Sequence, residues 1–134
     1  MKKKLIRIAI ISIILIVFFI IFMKYAPTIN KTNIKKATIT EIANMDKDKN
    51  LSSHQINKII DFINSTKKTR KIGIEKGWHY KVIIERGNYN TEITLIGDQL
   101  SIDGSNYTST DVTKKFQKLL FKMEVYNEKN SVIN

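Results

Sequence analysis

The sequence predicts an α+β protein: an N-terminal transmembrane helix followed by a small β-α-β-β-β-α domain, with an antiparallel sheet and helices on one face. Three observations predict it. Leu5 to Met23 is an apolar run almost free of polar groups. Two successive tight turns give three strands one common apolar face, and two further stretches repeat apolar residues at helical spacing. The implied organisation is a basic tip and signal anchor over 1–24, a polar linker over 25–33, a folded domain over 34–126 and a tail over 127–134. About 90 patterned residues suffice for one small core and not two.

At about 1.5 Å per residue, Leu5 to Met23 makes a helix roughly 28 Å long, close to the ~30 Å hydrocarbon thickness of a bilayer. The run exceeds a typical signal-peptide core, and its exit, Phe22-Met23-Lys24-Tyr25-Ala26-Pro27, offers no small-x-small cleavage site. The chain has no cysteine, so no lipidated Cys can replace the segment. Arg7 lies within about a turn of the start of the run, where it can snorkel to headgroups. These features predict a retained anchor. Flanking cations tie, with Lys2, Lys3, Lys4 and Arg7 on one side and Lys24, Lys31, Lys35 and Lys36 on the other. A short, densely charged N-terminus is hard to translocate, so the expected topology is cytoplasmic N-terminus and extracellular C-terminal domain at the cell membrane. Zero cysteine fits an exported domain that does not rely on disulfides. The bias toward Ile, Lys and Asn points to an AT-rich genome and a Gram-positive envelope.

Within the domain, Thr38-Ile39-Thr40 marks a first strand inside Ile34 to Ile42, although its alternation is imperfect. Ser52 followed by Gln55 reads as a capping box, and Ile56, Ile59, Ile60 and Ile63 form the apolar stripe of the helix it starts. Trp78 to Arg86 alternates and meets Gly87-Asn88, a two-residue hairpin turn. That turn pairs Ile84 with Thr91, Val82 with Ile93 and Tyr80 with Leu95. The next turn, Gly97-Asp98, pairs Leu95 with Leu100 and Ile93 with Ile102, again on the same face. The reverse face, carrying His79, Lys81, Ile83, Glu85, Glu92, Thr94, Ser101 and Asp103, is mostly polar. Val112, Phe116, Leu119, Leu120 and Met123 give a second helix, capped by Thr110 or Asp111.

Thr38-Ile39-Thr40-Glu41-Ile42, the helix around Ile56 to Ile63, the Tyr80 to Ile84 and Ile93 to Ile96 strands, and Tyr107-Thr108-Ser109-Thr110-Asp111 form a pattern that resembles the YhfM-like domain of small anchored extracytoplasmic proteins of Gram-positive bacteria. The resemblance covers residues 34–123. This chain departs from it by using a protein anchor in place of a lipidated Cys, and the resemblance carries over no functional residue.

Four groups of residues bear on chemistry. Asp46-Lys47-Asp48-Lys49-Asn50 opens like a calcium loop, but Leu51 stands where such a loop needs Gly and Asn57 where it needs a bidentate Glu; a solvated connection explains it as well. Glu92 and Asp103 fall opposite each other on the polar face, with Lys81 diagonal to Glu92; this is a surface ion cluster or, as the sharper alternative, a cation or basic-partner site, with an acid/base carboxylate pair a further reading. His54 and His79 lack metal-ligand spacing, and no Ser shows a triad partner. Basic residues are more systematic. The chain carries 23 Lys and Arg against 12 Asp and Glu. Lys67, Lys68, Arg70 and Lys71 cluster after the first domain helix, while Lys114, Lys118 and Lys122, with Lys115 beside them, line the second. They suit an anionic lipid headgroup or wall polymer, or a solvated surface. Core-facing aromatics and the inferred location argue against nucleic acid. The expectation is a non-enzymatic binding or accessory module at the envelope, with no cofactor and no metal, that meets an envelope protein or an anionic partner through the polar sheet face, at His79, Lys81, Glu92 and Asp103, and the adjoining basic residues. The alternative is a membrane-tethered metal-dependent module or enzyme using Glu92, Asp103 and Lys81.

Overall fold

The computed structural model describes residues 1–45, 47–73 and 77–126. Helix α1, Lys2–Lys24, buries none of its residues. Among the described residues it is the one helix long and apolar enough to cross a membrane, a test that a signal sequence also passes. A helix satisfies its own backbone hydrogen bonds, which is what any segment entering an apolar medium requires.

The remainder is α+β. Strand β1, Ile34–Glu41, is followed by a short 3-10 turn, Ile42–Asn44, then β2, Lys49–Asn50, α2, Ser53–Ser65, and β3, Thr69–Arg70. Strands β4, Tyr80–Arg86, β5, Asn90–Ile96, β6, Gln99–Ile102, and β7, Ser105–Thr108, form a meander, and α3, Val112–Lys122, closes the domain. The sheet is antiparallel and seven-stranded among the described residues, in the order β2-β1-β4-β5-β6-β7-β3. The β-α-β-β-β-α expectation is therefore corrected by a fourth meander strand and two short edge strands. The added strand follows Asp103-Gly104, a two-residue turn with φ 49° and 83°, which pairs Ile102 with Ser105. Two positive φ angles in succession are what a primed hairpin requires, and Asp-Gly is a favoured way to supply them.

The predicted register is observed: Tyr80 pairs with Leu95, Val82 with Ile93, Ile84 with Thr91, Leu95 with Leu100 and Ile93 with Ile102. The imperfect alternation of β1 is an irregularity between Ile34 and Lys36, after which Ala37, Ile39 and Glu41 all turn inward. Helix α2 carries both halves of its capping box, Ser52 Oγ accepting from Gln55 N and Gln55 Oε1 from Ser52 N. Ser52→Ala removes one half, and a loss of about 1 kcal/mol is expected in urea unfolding. Asp111 holds the cap position of α3 but makes no side-chain cap bond. The β5–β6 turn serves instead: Asp98 Oδ1 accepts from Asp111 N at 2.8 Å, and Gly97 O from Thr113 N at 3.2 Å.

One core joins the inward face of the sheet to Ile56, Ile59, Ile60 and Ile63 of α2 and Val112, Phe116 and Leu120 of α3. Part of the segment between α1 and β1 also packs on the domain. Ile29 is part of that core, and its N–H and C=O are both bonded by the Asn64 side chain, at 2.8 and 3.0 Å. Arg86, only 6% exposed, donates to Thr32 O at 2.5 Å and to Asn30 O. Residues 29–32 form a strap across the domain, because one buried guanidinium needs acceptors and the chain's own carbonyls provide them. At the other end Val125 and Tyr126 pack on the core, and the expected tail over 127–134 lies outside the described residues.

Candidate functional site

On the polar sheet face Asp103 lies across from Glu92, as expected, but one of its carboxylate oxygens is taken by backbone. Register places Glu92 opposite Ile83, and Lys81 opposite Thr94, diagonal to Glu92 as expected. Asp103, however, has left the strand for its turn. Its Oδ1 accepts from Glu92 N at 2.8 Å, while its own N–H donates to Glu92 O at 2.9 Å. The Asp103 carboxylate thus replaces a carbonyl at the end of the ladder. The Lys81 ammonium lies 4.8 Å from the Trp78 ring centroid, a cation–π geometry. Among the described residues no three His, Cys, Asp or Glu side chains converge as a metal centre requires. Asp46, which opens the calcium-like loop, lies outside the described residues; of its neighbours, Asp48 accepts from Thr40 Oγ1 at 2.6 Å and Lys49-Asn50 are strand β2. His54 is exposed near the start of α2.

His79 separates from the predicted polar group. It precedes β4, so strand alternation does not bind it, and its Nε2 lies 3.8 Å from Oε1 of Glu41. Glu41 is 2% exposed and directly opposite Tyr80 in the β1–β4 ladder. Neither Glu41 Oε1 nor His79 Nε2 has a hydrogen-bond partner among the described residues. Tyr80 stacks edge-on against His79 and against Phe116, with Tyr126 6.1 Å away. Lys49 closes the outer side, its ammonium 4.1 Å from the Tyr126 ring centroid and bonded to Val125 O. Sequence reasoning passed over this cluster. The signal was present, since Glu41 is in phase with Ala37 and Ile39 and period two sends it inward.

Burial pushes the Tyr80 phenol up to about 12, helped by the charge of Glu41 and opposed by a hydrogen bond with Gln117. Tyr126 is raised for the same two leading reasons, burial first and then Glu41. Both phenols remain protonated near neutral pH, so the cluster offers hydrogen-bond donors and no phenolate nucleophile. The folded state holds the Tyr80 proton longer than the unfolded chain does. Its contribution is therefore complete below pH 10 and is lost as pH rises through about 12. The expected loss is roughly 1–2 kcal/mol, read as a falling urea midpoint, and Tyr80→Phe flattens that fall.

The basic residues divide by role. The Lys68 ammonium caps α2, donating to Ile63 O at 2.6 Å and Thr66 O at 3.2 Å, and burial lowers its pKa. The Arg70 guanidinium lies 4.2 Å from the ring centroid of Phe22 in α1 and 5.5 Å from that of Tyr107. Lys67 is exposed and Lys71 half-buried. Together with Met23, Lys24, Ile72 and Thr108–Thr110, these residues line a cavity of about 830 Å³ where α1 ends. Lys114, Lys118 and Lys122 are exposed on α3, as is Lys115, and none of them lines that cavity. The chain matches no family model, no curated protein and no solved structure.

Proposed function

We propose that this chain is a single-pass membrane protein of the cell envelope, with a cytoplasmic N-terminus and an α+β head that acts outside as a non-enzymatic binding or accessory module. The observation that carries the reading is the strap. Exposed, apolar α1 ends at Lys24, and Ile29 is already core. The residues between them span under roughly 20 Å even fully extended. A head so tethered works at the bilayer surface, where confinement raises the effective concentration of weak contacts. Exposed Lys67 and the Lys114, Lys118 and Lys122 row favour an anionic partner, whether lipid headgroup, wall polymer or acidic protein face. The YhfM-like kinship is part of this proposal and rests on strand and helix patterns alone. An enzyme or metal module built on Glu92, Asp103 and Lys81 gains no support, because Asp103 is engaged by backbone and Lys81 lies over Trp78.

The test is a C-terminal tag in protoplasts. Protease added outside is expected to remove the tag, while the full-length chain stays with membranes through alkaline extraction. A tag that resists protease, or a soluble product lacking α1, would overturn the reading.

A further inference from the structure

We infer that the β3 edge and Ile72 form a second membrane contact, in which Lys24, Lys67 and Arg70 engage the anionic phospholipid headgroups around the exit of α1. This rests on α1 being an anchor. Phe22 lies about 3 Å below Lys24 along the helix axis. The Arg70 guanidinium packs on the Phe22 ring, so β3 is held at the depth where α1 leaves the hydrocarbon. Aromatic rings and cations with apolar stems favour that level of a bilayer.

The chemistry of the edge is one-sided. Among the described residues no carboxylate forms an ion pair with Lys24, Lys67 or Arg70, and Arg70 Nε is buried without a hydrogen-bond partner. Ile72, two residues beyond Arg70, is 72% exposed. An exposed Ile flanked by cations is unfavourable in water and suited to an anionic interface, where the methyl groups enter the acyl boundary and the charges meet phosphate. The cavity of about 830 Å³ between α1 and this edge, lined by Met23, Lys24 and Lys67, gives a headgroup room to lie between helix and head. The strap keeps the edge there, so the contact is intramolecular in effect and needs little affinity of its own.

The chain has no cysteine, so single-cysteine labels report without background. Full-length protein carrying Ile72→Cys with an environment-sensitive fluorophore is placed in nanodiscs of phosphatidylcholine alone or with a third phosphatidylglycerol, both containing spin-labelled quencher lipid. Ile42→Cys, at the end of β1 and separated from β3 in the sheet by four strands, is the aqueous control. Val17→Cys reports the anchor itself. The expected result is strong quenching at residue 17 in both discs, and quenching at 72 several-fold above that at 42 only with phosphatidylglycerol. Lys24→Glu and Lys67→Glu, both at exposed positions, are each expected to weaken the contact roughly fivefold, as is added salt.

A label at 72 as aqueous as that at 42, equal quenching in the two discs, or indifference to both charge reversals overturns the proposal while leaving the anchor standing. Loss of quenching at residue 17 overturns the anchor reading and this contact with it. A response at 72 to soluble poly(glycerol phosphate) in neutral discs would assign the cations to a polymer, and that also overturns it.

Discussion

Phe116→Ala is expected to lower the unfolding free energy of the head by roughly 3–5 kcal/mol, enough to leave it marginal or unfolded at 37 °C. The ring has no exposed surface and joins the three parts of the core. It stands 5.5 Å from Tyr80 of the sheet and 5.7 Å from Phe62 of α2, in edge and tilted geometries that add to burial. Truncation opens a cavity that two helices and a sheet cannot jointly collapse into. It also removes the packing that holds Tyr80 beside Glu41. Urea unfolding followed by far-UV circular dichroism checks the size of the loss. A change below about 1 kcal/mol would mean that α3 contributes little to the core.

The second large effect is expected at Arg86. Arg86→Ala removes the charge-assisted bonds to Thr32 O and Asn30 O and the contact with Thr91 Oγ1, all at a nearly buried site. A loss of about 2–4 kcal/mol follows, because the strap carbonyls are left without their donor. The change should also be local before it is global. Limited proteolysis of the variant is expected to cut within 25–33 at concentrations of protease that leave the parent chain whole. Arg86→Lys keeps the charge without the fork and is expected to recover only part of the loss, since an ammonium cannot reach several carbonyls in one plane. If the variant keeps parental stability and protease resistance, residues 29–32 are held by Ile29 and Asn64 alone.

These two residues show where the sequence was readable. Phe116 belongs to a helical stripe whose partners recur at the expected spacing, and the stripe predicted its burial. Arg86 closes a strand that alternates, and period two places it on the apolar face with Ile84 and Val82. Its charge argues the other way, and only the carbonyls of Asn30 and Thr32 explain why it can stay there. The same conflict hid Glu41. The β6–β7 hairpin escapes the pattern for a different reason: alternation places Asp103 on the polar face of a strand, although Asp-Gly is itself a turn signal. Reading it as a turn directs the Asp103 carboxylate to the Glu92 N–H and supplies the missing strand at once.

The sequence by itself determined the apolar helix, the α+β class, the capping box of α2, the register of β4, β5 and β6, and both amphipathic stripes. Each of these depends on neighbours within a few residues, where helical or strand periodicity and turn chemistry act directly. Tertiary structure alone decided that residues 29–32 form a strap, that Lys68 caps a helix while Arg70 packs on Phe22, and that Glu41, His79, Tyr80 and Tyr126 meet. Those outcomes join residues far apart in the chain, and a buried charge finds its partners only when the fold brings distant carbonyls and rings to it.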